Sequence, residues 1–373
     1  MNTYNDIRTR FQIALNEDYK KAVERIANNV DTIGSMEPSH QKIVTDEINT
    51  AADYIEKFGP INTIKTYFIE TKGFSEGDWK SIESLLKKES EESLNALNDY
   101  INKPLSIDYF VGKTSKTNIV KDLSSTTGIS SSFLGAIFGM AGQTKSGKGV
   151  GKGELFLGLL VDGATNASVG DVNVNGQAYE VKGRDARLNT QNGFGTGMQA
   201  INSFFDSLSK VDKKLADEFG SKDKKNIQQY NFLKGGNSKF YELFKTWVAK
   251  GYKLDDIINL VADTVFCGPS GIWFNGGKPM ASRIVDAFKK NLNADGSSLN
   301  DEMLQYELQY INILYYKAQE HFNGIFLIND KTGDFAYFNP DKQDAKWLSN
   351  NVKYTQPSWQ DKPTSDCYKI TLK

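Results

Sequence analysis

GDVNVNGQAYEVKG, residues 170–183, decides how the rest of this chain is read. Asn175-Gly176 is the strongest short-range signal for a two-residue type I′ turn, because both central positions need positive φ and these two residues tolerate it. The turn fixes a register. Val174 pairs with Gln177, Asn173 with Ala178 and Val172 with Tyr179, and Asp171 stands across from Glu180. Alternation then sorts the side chains into two faces. Val172, Val174, Tyr179 and Val181 point one way, as a half-buried hairpin requires; Asp171, Asn173, Ala178, Glu180 and Lys182 point the other. Carboxylates directly opposed in a ladder repel, so the pair calls for a cation, a shared proton or a splay into water. Lys182 is one candidate cation. A divalent ion is another, and hard oxygen donors of this kind suit Mg²⁺ or Mn²⁺.

Outward from the hairpin the pattern is helical on both sides. GKGELFLGLLVDG, residues 151–163, reads as a short, densely apolar buried helix opened by Glu154. An acid in a first turn is expected on dipole grounds alone; the functional alternative is that this helix presents Glu154 to the carboxylate pair. Downstream, FGTGMQAINSFFDSLSKVDKKLADEFG (194–220) reads as one helix with the stripe Met198, Ile201, Phe205, Leu208, Val211 and Leu215, stopped by Gly220. The first hundred residues also read as helices, with apolar spacing at Ile7, Phe11, Leu15, Tyr19 and Val23 and further segments near 40–58 and 75–102, ending at Pro104. From 222 to 322 come more helical segments, broken by the loop CGPSGIWFNGGKP. GIFLIN (324–329), DFAYFN (334–339) and the terminal CYKITLK then read as strands.

Composition excludes several classes. The chain has 373 residues and a formal net charge of -1, so any nucleic-acid surface must be a local patch. The clearest basic stretch is 111–152, rich in Gly, Ser and Thr, where Lys113, Lys116, Lys121, Lys145, Lys148 and Lys152 are opposed only by Asp122. It reads equally as a solvated connection and as a phosphate-contacting surface. Within it, GQTKSGKG has the spacing of a phosphate loop, but Gly149 replaces the hydroxyl residue that would hold Mg²⁺. Two cysteines, Cys267 and Cys367, far apart in sequence, argue against a disulfide scaffold, leave a four-cysteine zinc site impossible and fit a reducing compartment. His40 and His321 lie in no nucleophile context; His321 reads as a helix end. The longest apolar stretch, FLGAIFGMAG, is too short to span a bilayer, so the expectation is a soluble intracellular protein with no membrane partner.

Glu154, Asp171 and Glu180-Val181-Lys182 together resemble the PD-(D/E)xK nuclease superfamily. Its pattern is a helix bearing an acid, an acid on the next strand, then acid-any-Lys on the antiparallel neighbour. Gly170 stands where the family name has Pro. The stretch from Gly153 to Arg187, including YEVKGRDARL, is similar to nuclease-like proteins of tailed bacteriophages. The resemblance implies a small restriction-endonuclease-like α/β core, a mixed sheet flanked by helices, within a chain of α+β or α/β class. That core would lie at 153–220, between a helical region (1–110) with its Gly/Ser/Lys-rich connection (111–152) and a helical insertion (221–322), with a β-rich segment (323–373) completing the sheet. It implies a metal-dependent nuclease of the host cytoplasm or virion, acting on DNA. Asp171 and Glu180 would hold Mg²⁺ or Mn²⁺, Glu154 a second metal or its water, and Lys182 would position or deprotonate the attacking water. Arg184, Arg187 and Gln191 would follow the phosphate backbone, joined by Lys145, Lys148 and Lys152. The competing expectation is a virion or assembly protein that keeps this fold to bind DNA or phage structural proteins.

Overall fold

The computed structural model describes residues 35, 37–42, 46, 61–166, 171–184, 186–187, 194–220, 237–267, 280–293, 298–355 and 369–373. The expected helix over Ile7 to Val23, most of the one near 40–58, the loop CGPSGIWFNGGKP, Gln191 and Cys367 lie outside them. The described chain is mixed α/β, and two compact units divide it: Met1–Lys113, Thr117–Gln177 and Asp330–Phe335 make the first, and Thr114–Lys116, Ala178–Asn329 and Ala336–Lys373 the second.

In the first unit, helices begin where short polar side chains can cap them. Helices α1 (Glu76–Leu86), α2 (Glu91–Asn102) and α3 (Ile107–Val111) are followed by strand β1 (Thr117–Asn118), then α4 (Ile119–Thr127) and α5 (Ser131–Phe138). Ser75, Ser90, Asn118 and Ser130 accept backbone N–H bonds at the starts of α1, α2, α4 and α5. Next come β2 (Gly142–Gln143), β3 (Gly149–Val150), α6 (Glu154–Leu160), β4 (Ala164–Asn166) and β5 (Val172–Val174). The stretch 111–152, read from its composition as a connection, therefore carries two helices. Ile119, Val120, Leu123, Phe133, Leu134, Ile137 and Phe138 are buried, and that apolar area outweighs the Gly/Ser/Thr content around them. GQTKSGKG closes as the two-stranded β2–β3 hairpin.

Helix α6 matches its sequence reading, with Leu155 through Leu160 all buried. Its last carbonyls would be orphaned in that apolar setting. Three side chains satisfy them: the Tyr67 hydroxyl donates to Leu159 O at 3.2 Å, the Tyr100 hydroxyl to Leu160 O at 2.7 Å, and Lys72 Nζ to Val161 O at 2.7 Å.

The elements that follow are β6 (Gln177–Lys182), β7 (Ala186–Arg187), α7 (Phe194–Val211), α8 (Lys213–Gly220), α9 (Asn237–Ala249), α10 (Leu254–Val261) with the π-helical turn Ala262–Phe266 after it, α11 (Ala281–Asn291), α12 (Asp301–Glu320), β8 (Ile325–Asn329), β9 (Asp334–Phe338), α13 (Ala345–Asn351), β10 (Val352–Thr355) and β11 (Lys369–Leu372); a second π-helical turn, Tyr67–Thr71, precedes α1. The expected single helix over 194–220 is broken at Asp212, whose carboxylate accepts Leu215 N at 2.9 Å and so caps α8. Val211, assigned to the apolar stripe, is 57% exposed, while Phe204 is fully buried. Helices α7 to α12 of the second unit pack around one aromatic-rich cluster that includes Phe204, Phe240, Phe244, Phe266 and Phe288.

The larger sheet has six strands in the order β1-β9-β8-β6-β5-β4. Strands β4 and β5 are antiparallel, whereas β6 and β8 are parallel, so the sheet is mixed. The hairpin forms where the sequence put it: β5 and β6 flank Asn175 at φ 52° and Gly176 at φ 81°. Asn173 Oδ1 accepts Gly176 N at 3.0 Å inside the turn. GIFLIN and DFAYF supply β8 and β9. Strand β11 does not join this sheet; it pairs with β10 and β7 in a separate three-stranded sheet.

Candidate functional site

Strand β6 carries the acid-any-Lys sequence, and its setting differs from the half-buried ribbon expected. Ala178, Tyr179, Glu180 and Val181 are all buried. The cause is the parallel partner: pairing of Glu180 with Ile325, Val181 with Phe326 and Lys182 with Leu327 places β6 in the sheet interior, where a helix covers the face that alternation had assigned to ions. Ala178 belongs to one buried cluster with Tyr306, Ile313 and Tyr316 of α12 and with Ile325 and Leu327 of β8. The other face is aromatic, with Tyr179, Phe326 and Tyr337 in mutual ring contact at 5.0 to 6.3 Å. Burial raises the Tyr337 hydroxyl above the usual tyrosine range, so it stays protonated.

Glu180 is therefore a carboxylate in an apolar layer, only 3% exposed. Such a group persists only when paired and hydrogen-bonded. The Tyr316 hydroxyl donates to its Oε1 at 2.7 Å, and Lys182 Nζ donates to the same oxygen. The Lys182 side chain is itself 12% exposed, with its ammonium 5.7 Å from the Tyr316 ring centroid, so the three residues form one compact cluster. Lys182 thus neutralises Glu180 on the same strand, two residues on. Both bonds to Glu180 fall on Oε1, and Oε2 accepts neither.

Backbone bonds hold this cluster in place. Glu180 N donates to Gly324 O at 3.0 Å and Asn323 N donates to Ala178 O at 2.8 Å, tying β6 to the segment between α12 and β8. His321 ends α12 in the left-handed region, φ 54°, as the sequence suggested. Gly324 follows because a Cβ there would run into the Tyr337 ring and hydroxyl.

The other expected site residues are distributed as follows. Asp171 stands one residue before β5 and is half-buried; Glu154 opens α6, half-buried, with its carboxylate folded over the Gly151 backbone. That position suits a first-turn acid on dipole grounds. Among the described residues no three His, Cys, Asp or Glu side chains gather closely enough to hold an ion, so Glu154, Asp171 and Glu180 do not form one three-acid cluster. Arg184 is exposed in the turn after β6, and Arg187 lies on β7. Lys145 pairs with Glu70 at 3.4 Å and Lys152 with Asp330 at 2.6 Å; Lys148 is exposed. His40 is exposed in a short helical segment, and Cys267 is buried, its thiol pushed up to about 12 by burial.

Tyr316 is the residue that sequence reasoning missed. In LQYINILYYKAQ, Tyr315 and Tyr316 are indistinguishable as apolar-spaced aromatics, yet Tyr315 packs into the helical cluster and Tyr316 into the cluster beside β6. Of the described helices, none is long and apolar enough to cross a membrane. The fold and site define a mixed α/β protein with a Glu-Lys-Tyr cluster where the central strand β6 meets helix α12. Compared with protein-family models, curated proteins and solved structures, the chain has no match.

Proposed function

We propose that the chain is a metal-dependent phosphodiesterase acting on DNA, encoded by a bacteriophage. The observation that carries the reading is the buried Glu180 carboxylate beside Lys182 on β6, directly after a two-residue turn whose other strand is preceded by Asp171. The order of elements supports it too: an apolar helix opened by Glu154, then β4 and β5, then the acid-any-Lys strand in a mixed sheet. The donor set fits magnesium or manganese, because Mg²⁺ keeps several waters and uses one or two carboxylates together with substrate phosphates. Glu180, through its Oε2, would hold the ion.

When bound, such an ion stabilises the negative charge that develops on the phosphoryl oxygens and the leaving alkoxide. The remaining work belongs to the chain. Lys182, held against Glu180 in an apolar layer, holds or relays the proton of the attacking water. Arg184 in the exposed turn after β6 binds the phosphate backbone.

The closed state of the cluster favours a second reading. Glu180 already has two donors, and ion pairs already engage Lys145 and Lys152, which suits a virion or assembly protein that retains the fold for binding phage structural proteins or DNA. The test is incubation of the purified chain with linear and with circular DNA, in Mg²⁺, Mn²⁺ or EDTA. The nuclease reading expects cutting that EDTA abolishes and that falls by roughly 10²- to 10⁴-fold in Lys182→Ala, the range for a lost proton-transfer group. Cutting that survives both Asp171→Ala and Lys182→Ala would remove it, and DNA binding without cutting would favour the second.

A further inference from the structure

We infer that Tyr316 is a positioning residue for Glu180, fixing the carboxylate so that Oε2 is presented to a divalent cation; this role rests on the nuclease reading above. A glutamate side chain has a terminal torsion that is broad and roughly two-fold, so an unrestrained carboxylate exchanges its oxygens freely. Here the Tyr316 hydroxyl and Lys182 Nζ converge on Oε1 from different elements, one on helix α12 and one on the same strand. Two donors on one oxygen fix the carboxylate plane. Oxygen Oε2 is left out of both bonds.

Tyr316 can impose this because its own ring is fixed. Phe322 packs against it at 5.2 Å between centroids, and the Lys182 ammonium lies over it at 5.7 Å. The left-handed turn at His321 brings Phe322 back under the last turns of α12, so the tyrosine, phenylalanine and β6 are locked together by local chain geometry. Partners that orient a ligating carboxylate from outside tune how well it binds.

The test compares two hydroxyl deletions on the same helix in the full chain. Tyr316→Phe removes the bond to Glu180. Tyr310→Phe removes a bond of the same kind, the one its hydroxyl donates to Pro340 O at 2.9 Å. Mn²⁺ binding is read by calorimetry and by the electron-spin signal of the free ion, with thermal unfolding in parallel. We expect Tyr316→Phe to weaken Mn²⁺ binding by roughly 10- to 100-fold, the usual effect of losing such a partner, and Tyr310→Phe to leave it unchanged while lowering the melting temperature comparably. Equal or tighter Mn²⁺ binding by Tyr316→Phe would overturn the role and leave the nuclease reading standing. Failure of the unmodified chain to bind Mn²⁺ would overturn both.

Discussion

Glu180 and Lys182 are each other's justification. Both are nearly buried, at 4% and 12% side-chain exposure, so deleting Lys182 takes from the Glu180 carboxylate its ammonium partner in an apolar layer. Removal of one partner of such a pair costs about 3–5 kcal/mol, whereas replacing both with well-packed apolar residues is near neutral. Lys182→Met is accordingly expected to lower unfolding free energy by about 3–5 kcal/mol, and Glu180→Met with Lys182→Met to recover most of the loss. Urea denaturation of the three chains measures it. Additive losses in the double variant would mean that the pair is not coupled. The sequence announced the pair, since acid-any-Lys on one strand puts both side chains on one side. It could not announce Tyr316, which comes from 136 residues away.

At the scale of elements, the capping of α6 makes a pH-dependent prediction. Lys72 is 8% exposed, and burial lowers its ammonium to about 8 from 10.5, with Asp162 partly opposing. As pH rises from 8 toward 10.5, the unfolded chain holds this proton more strongly than the folded one, so stability rises across the window; below 8 both forms are charged and the term is flat. Tyr67 and Tyr100, whose hydroxyls burial keeps protonated, act in the opposite sense above the ordinary tyrosine range. Chemical denaturation at about pH 7.5 and about pH 9.5 should therefore show the natural chain gaining on Lys72→Met as pH rises. A constant gap between them would refute the assignment. The helix was legible from its apolar run and Glu154, but its cap was not, because the three donors come from residues 67, 72 and 100, far from the carbonyls they serve.

Over the whole molecule, a net charge of -1 makes any DNA contact local. Three phosphate-neutralising lysines would steepen the salt dependence of binding by about 2.7 on a log–log plot. Lys145 and Lys152 already face Glu70 and Asp330, so their cations are partly engaged before DNA arrives. Replacing Lys145, Lys148 and Lys152 together by Ala should then flatten the slope by less than that value of about 2.7, as measured by fluorescence anisotropy from low to moderate salt. A flattening of the full amount would show that the ion pairs open on binding. The same stretch shows the limit of composition as a guide, since Gly, Ser and Lys suggested a connection where α4 and α5 bury Ile119, Leu123, Phe133 and Leu134.

By itself the sequence determined what depends on neighbours along the chain. The Asn175-Gly176 turn, the hairpin around it, the apolar helix behind Glu154, the His321 helix end and the β8 and β9 strands all follow from local torsional preference and period. What only the tertiary structure decided is the environment of that hairpin. A parallel neighbour placed β6 inside a mixed sheet, a helix covered its charged face, and a distant tyrosine met Glu180. Burial depends on which elements pack together, and a carboxylate two residues from a lysine has the same local sequence whether it faces water or an apolar layer.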